Sequence, residues 1–385
     1  SPEKARAIVG CAEHKALARE VAAKSVVLLK NDGLLPLAHS IKSIAVIGPN
    51  ADEMYNQLGD YTAPQARESI ATVLDGIRAK LPGAKVNFVK GCAIRDVSKT
   101  DISAAVSAAK ASEVTVLVVG GSSARDFKTE YLSTGAAIAS DDAISDMECG
   151  EGYDRADLHL LGDQERLMRA LVDAGVKLVV VYIGGRPYDM SLANERANAL
   201  CTAWYPGGEG GNGIADILFG DCNPAGRLPV SVPRSVGQLP VHYSKRPSHN
   251  YVDCPEEPLF AFGYGLSYTR FEYSDLQLEP GDGKDIYQRV SFTVKNVGET
   301  DGDEVPQLYI NDEYSSVETP HKLLKAFTRI HLKRGESRRL TFDLRFDDLS
   351  LYNIDMKEVV EPGTFIVMVG AASNDIRLEG KFEVN

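Results

Sequence analysis

Five apolar runs punctuate the chain up to residue 204: residues 43–47 (SIAVI), 85–89 (KVNFV), 114–119 (VTVLVV), 177–183 (KLVVVYI) and 199–204 (ALCTAW). Runs of this length, rich in branched residues and with little polar alternation, predict strands buried on both faces. Helical apolar spacing fills the intervals at 72–80, 102–111, 161–174 and 213–218. It also marks residues 13–30 (EHKALAREVAAKSVVLLK), which predict a helix ending at the turn Asn31-Asp32-Gly33. Strands alternating with helices predict an α/β sandwich, a mostly parallel sheet between helices. Ligands of such sheets bind in loops beyond the carboxyl ends of the strands.

The pattern changes near residue 230. Residues 223–270 are rich in Pro, Gly and aromatics and carry little periodicity, which marks a meandering connector. From Tyr273 onward short alternating runs recur, at 288–295, 304–311, 338–344 and 363–369 among others. Asn296-Val297-Gly298, Asp301-Gly302, Arg334-Gly335 and Pro362-Gly363 punctuate them. Roughly seven such strands in about 110 residues predict an immunoglobulin-like all-β sandwich.

Composition narrows the function classes. A chain of 385 residues with 44% hydrophobic and 25% charged residues is globular and long enough for two or three domains. No apolar run approaches the roughly 20 residues of a membrane span. With 42 Lys+Arg against 54 Asp+Glu the net charge is -12, which argues against nucleic acid as a partner. The six cysteines form no CxxC pair and read as free thiols, neither a zinc site nor a disulfide framework. The seven histidines lie far apart, so neither a metal nor a cofactor is expected. The opening Ser1-Pro2-Glu3-Lys4, without Met or a signal segment, reads as a processed chain or a fragment.

Two stretches could carry chemistry. Gly208, Gly210 and Gly213 form a GxGxxG between a strand and a helix. A dinucleotide fingerprint also needs a following strand that ends in an acidic residue, which is missing, so a glycine-packed turn is expected. Residues 145–155 (SDMECGEGYDR) follow the strand at 114–119 and the polar loop at 120–140. The seven acidic residues between 141 and 157 lack the ligand order of a calcium loop. Glu151 stands between Gly150 and Gly152, where no neighbouring side chain blocks a ligand. Partial desolvation would raise its pKa and suit it to general acid work. Tyr153 offers a flat face for a sugar ring, and Asp154 with Arg155 could pin the loop by a charge-assisted bond. On residues alone this is a carboxylate-bearing loop over a sheet edge, with a solvated acidic loop as the competing reading.

The loop EGYDRADLHLLGDQ resembles the acid/base loop of glycoside hydrolase family 3, in the α/β-sandwich domain that follows that family's barrel. Further segments are similar in the same order: AREVAAKSVVLLKNDGLLPL near the start, GGRPYDM at 184–190, the stretch 203–240, and FAFGYGLSYTRFEY at 260–273. The tail, VKNVGETDGDEVPQLYI through VVEPGTFIVMVGAAS, resembles the family's fibronectin type III-like domain. The resemblance implies an α/β-sandwich domain at 1–245, a connector at 246–274 and a fibronectin type III-like domain at 275–385.

It further implies a retaining, exo-acting β-glycosidase. β-Glucosidase is the leading reading; β-xylosidase, or a non-catalytic carbohydrate-binding module, is the alternative. Glu151 matches the acid/base, Tyr153 an aromatic beside the leaving-group subsite, and Glu148 a variable neighbour. The nucleophilic Asp lies in an N-terminal (β/α)₈-type barrel, for which this chain has no counterpart. A barrel domain or chain and a small β-glycoside are therefore the implied partners, a homodimer is left open, and the chain alone is expected to be inactive. The family implies export, periplasmic or secreted. The sandwich shows no evident aromatic platform in sequence, and Tyr309, Tyr314 and Tyr352 read at least equally as packing residues.

Overall fold

The structure, a computed structural model, describes residues 1–124, 130, 131, 133, 137, 138, 145–150, 152, 154–246, 251–282 and 285–385. By packing, the chain divides into two compact units, Ser1–Gly226 and Arg227–Asn385.

The first unit is built on six strands: β1 (Val27–Asn31), β2 (Ser43–Ile47), β3 (Lys85–Val89), β4 (Val114–Gly120), β5 (Leu178–Ile183) and β6 (Ala199–Thr202). Their order across the sheet is β1-β6-β5-β4-β2-β3. Every neighbouring pair is parallel except β1 with β6. The central strands β4 and β5 are buried along their whole length, as their unbroken Val and Leu runs require. Helices flank the sheet: α1 (Ala12–Ser25), α2 (Val73–Lys80), α3 (Ile102–Lys110), α4 (Gln164–Asp173) and α5 (Gly210–Leu218). Helices α1 and α2 pack against α5, and α3 packs against α4.

Two elements differ from their sequence reading. The helix expected over 13–30 ends at Ser25; Val26 is extended at φ -62° and ψ 128°, and the chain continues as β1. The run 26–29 is wholly buried, and its paired β-branched residues fit a pleated strand better than a helix turn. The strand expected over 199–204 ends at Thr202, because Trp204 adopts a left-handed φ of 56°. The glycines of 208–213 serve packing: a Cβ on Gly211 would lie 1.8 Å from the Thr72 carbonyl oxygen at the start of α2.

The second unit begins with a segment laced to 260–264. Leu228 N–H donates to Tyr264 O at 2.9 Å, Gly263 N–H donates to Leu228 O at 2.8 Å, and Val232 bridges Phe260 antiparallel. These bonds group the residues from 227 with the second unit, whereas the sequence reading carries the first domain to 245.

The remainder is a sandwich of β7 (Phe271–Pro280), β8 (Ile286–Asn296), β9 (Gln307–Asp312), β10 (Leu323–Phe327), β11 (Ser337–Arg345), β12 (Gly363–Ala372) and β13 (Asp375–Val384). They form a three-stranded sheet, β11-β8-β7, and a four-stranded sheet, β10-β9-β12-β13. One core joins both sheets, with Val290, Phe292 and Val294 of β8 in the same cluster as Phe365, Val367 and Val369 of β12. Tyr309 belongs to the buried set, while Tyr314 and Tyr352 are 81% and 60% exposed. No helix among the described residues is long and apolar enough to cross a membrane.

Candidate active site

Two fully buried amides hold the carboxyl ends of the central strands, Asn50 tying the end of β4 to that of β5 and Gln164 holding β4 alone. Asn50 Nδ2 donates to the carbonyls of Gly121 at 3.0 Å and Ile183 at 3.2 Å, and its own Oδ1 accepts from Asn56 Nδ2 at 2.9 Å. Gln164, at the start of α4, accepts from Gly120 N–H and donates to Gly120 O, both at 2.9 Å. A buried side-chain amide that satisfies strand-end backbone groups removes their desolvation cost and fixes the geometry beyond the sheet.

The acidic loop is seated on this platform. Glu148 N–H donates to Ser122 O at 2.8 Å, which aligns the loop with the segment leaving β4. The Glu148 side chain is buried. It accepts from Arg155 Nη1 at 2.9 Å, and the Tyr188 hydroxyl donates to its other oxygen. Burial first, and then the adjacent Glu148 charge, push the Tyr188 hydroxyl well above its ordinary pKa, so it remains a donor. Glu148 is thus a closed-in anchor and is not presented to a ligand.

Asp154 and Arg155 do not pair through their side chains, contrary to the sequence reading. The Arg155 guanidinium turns inward to Glu148 and to the His159 carbonyl, and Asp154 pairs instead with Arg186. Within the dipeptide only the Arg155 backbone N–H reaches Asp154 Oδ1, at 2.8 Å. The Arg186 hydrogen bond, with help from that backbone N–H, holds the exposed Asp154 carboxyl below the usual carboxylate range. Two neighbouring residues of opposite charge therefore clamp the loop in two directions, one into the core and one along its rim.

Glu151 and Tyr153 lie outside the described residues, as do residues 125–129, 132, 134–136 and 139–144 of the preceding loop and its acidic continuation. The glycines beside Glu151 are described. Gly150 has φ +152° and Gly152 φ +70°, conformations that side chains rarely adopt. A Cβ on Gly150 would also stand 2.5 Å from Met147 Cε and 3.0 Å from Asp60 Oδ2, while Gly152 faces open space. Cys149, Gly150, Gly152, Asp154 and Arg186 line an open depression of about 410 Å³. Behind it, Cys149 Sγ lies 3.8 Å from the Tyr205 hydroxyl.

Sequence reasoning missed Asn50, Gln164, Arg186 and Tyr188. For the last two a signal existed: GGRPYDM directly follows the buried run 177–183, where a parallel sheet presents its site loops.

Comparison with known proteins places this geometry in context. The profile of the glycosyl hydrolase family 3 C-terminal domain matches residues 26–268, and that of a fibronectin type III-like domain matches residues 304–373. A protein of Formosa agariphila described as a β-xylosidase is 43% identical over 94% of this chain and 49% of its own length. A periplasmic β-glucosidase of Salmonella typhimurium is 37% identical over 96% of this chain and 50% of its own. Among solved structures, a β-glucosidase from Erythrobacter marinus superposes with a TM-score of 0.84 at 35% identity, covering 97% of this chain and 51% of that one. The chain spans about half the length of the curated relatives it matches.

Proposed function

Because the chain belongs to glycosyl hydrolase family 3, matching its C-terminal domain and an attached fibronectin type III-like domain, we propose that it forms the C-terminal part of a retaining, exo-acting β-glycosidase. Glu151 is the acid/base of that reaction. The observation that carries this reading is the double clamp, Arg155 on Glu148 and Arg186 on Asp154, with Gly150 and Gly152, the sequence neighbours of Glu151, lining an open depression. A carboxyl group between two glycines can meet a substrate with no neighbouring side chain in the way.

In this mechanism an Asp of an N-terminal barrel, in the same or another polypeptide, attacks the anomeric carbon. Glu151 gives its proton to the departing glycosidic oxygen as that C–O bond breaks, leaving a covalent glycosyl-enzyme. The ionised Glu151 then takes a proton from water, whose oxygen attacks the same carbon and releases the aspartate. Tyr153 borders the leaving-group side. The chain alone, holding one carboxyl of the pair, does not turn over.

Terminal non-reducing β-linked glucose is the leading substrate. A β-xyloside is the second reading, favoured by the 43% identity to the Formosa agariphila protein. The exposed Tyr314 and Tyr352 are the observation that favours a carbohydrate-binding module instead. Its likeness to a protein described as periplasmic supports an exported enzyme.

The test is turnover of aryl β-glucoside and β-xyloside by the full-length enzyme and by this chain alone, with the first-formed anomer read by NMR. The reading expects the β-anomer first, and activity only when the barrel is present. The α-anomer first, or full activity of this chain alone, contradicts it.

A further inference from the structure

The second unit holds a cleft of about 260 Å³ whose lining includes Lys245, Arg246, Lys322, His242, His321 and Tyr243. Two carboxylates, Glu256 and Glu257, also border it, so three cations stand against two carboxylates beside two imidazoles. Among the described residues no carboxylate pairs with Lys245, Arg246 or Lys322. In a chain of net charge -12 a cleft with more cations than carboxylates in its lining is a local reversal of sign. Cations held together in a concave, partly desolvated site repel one another and attract an anion.

The cleft is built before any ligand arrives. Lys322 Nζ is tied to the Ser373 carbonyl at 2.7 Å, which fixes a half-buried ammonium in the wall. The Tyr243 hydroxyl accepts from Leu324 N–H at 3.1 Å, and its ring stacks on Phe262 with centroids 4.3 Å apart. His321 N–H donates to Ser244 O at 2.9 Å, and Gln238 Nε2 donates to Pro255 O at 2.8 Å. The field is felt locally: burial, then the charges of Lys322 and Arg246, hold the His321 imidazole below its ordinary pKa.

We infer that this cleft binds a sugar-sized oxyanion, a monosaccharide bearing a carboxylate or a phosphate, through Lys245, Arg246 and Lys322. The cations meet the anionic group, and the exposed Tyr251 in the lining meets the sugar ring. The volume is below the usual range for drug-sized ligands and admits one sugar unit, not a chain. The site does not depend on the glycosidase reading.

The test is titration of the purified chain with glucuronate, glucose 6-phosphate, inorganic phosphate and glucose at low salt, by calorimetry and by the NMR signals of the His321 ring. The two acidic sugars are expected to bind, to raise the titration midpoint of His321, and to lose about tenfold or more in affinity when the ionic strength is raised to screen the site. Binding by one of them alone identifies the carboxylate or the phosphate as the recognised group. A Lys245→Gln/Arg246→Gln variant, changed only at exposed side chains, is expected to lose about tenfold or more in affinity with an unaltered melting temperature. Glucose binding as tightly as glucuronate overturns the proposal, as does an undiminished affinity in the double variant. No binding by either acidic sugar also overturns it. Inorganic phosphate matching both overturns the sugar-sized part.

Discussion

Arg155 Nη1 stands 2.9 Å from Glu148 Oε2, and the two side chains are only 9% and 0% exposed. Seven residues apart in sequence and on either side of Glu151 in the chain, they form a charge pair taken out of water. Removing one member of a buried pair strands the other, at a cost of about 3–5 kcal/mol, whereas replacing both with neutral side chains of similar size restores much of the loss. Arg155→Met alone should therefore lower the stability of this chain in urea by about that amount. Arg155→Met with Glu148→Gln should recover more than half of it. If the double variant is no more stable than the single one, the pair is not the anchor.

A second network ties three helices. Arg19 of α1 makes two bonds of 2.6 Å to Asp216 of α5, and Lys80 of α2 reaches the same carboxylate. Burial pushes the Asp216 pKa up, but the Arg19 and Lys80 bonds outweigh it, and the folded carboxyl titrates below its ordinary value. A depressed folded pKa contributes stability that is present above the unfolded value of about 3.9 and is lost as pH falls through the folded pKa. Asp216→Asn should thus destabilise the chain at pH 7, and the gap to the parent should shrink as pH falls from about 5 toward 2. Chemical denaturation at a series of pH values reads this directly. A gap that is constant with pH contradicts the ionic account.

The parts of the fold legible in sequence are those where one physical demand dominates. The runs at 114–119 and 177–183 are short, rich in branched residues and apolar on both faces, a combination that a strand buried on both faces meets. Val26 and Val27 were illegible because the helical spacing of 13–25 runs into them without a break; from Val27 onward the antiparallel partner Ala199–Thr202 decides the conformation from afar. In the site, Glu151 stood out because two glycines isolate it, and its placement lies outside the described residues. The supports were hidden for another reason. Asn50, Gln164 and Tyr188 are ordinary polar residues in sequence, and their roles exist only once the fold brings Asn50 to Gly121 and Ile183, Gln164 to Gly120, and Tyr188 to Glu148. The charge pairs misled in a simple way: adjacency in the chain suggested Asp154 with Arg155, while alternate side-chain directions sent them to Arg186 and Glu148.

The central claim, that Glu151 protonates the leaving oxygen, is tested most directly by Glu151→Gln in the full-length enzyme. The measurement is kcat/KM on a disaccharide, whose leaving group needs a proton, and on a dinitrophenyl glycoside, whose leaving group does not. The account predicts a loss of about 10²–10⁴-fold on the disaccharide and about tenfold or less on the dinitrophenyl glycoside. Equal losses on the two substrates, or no loss on either, would contradict it.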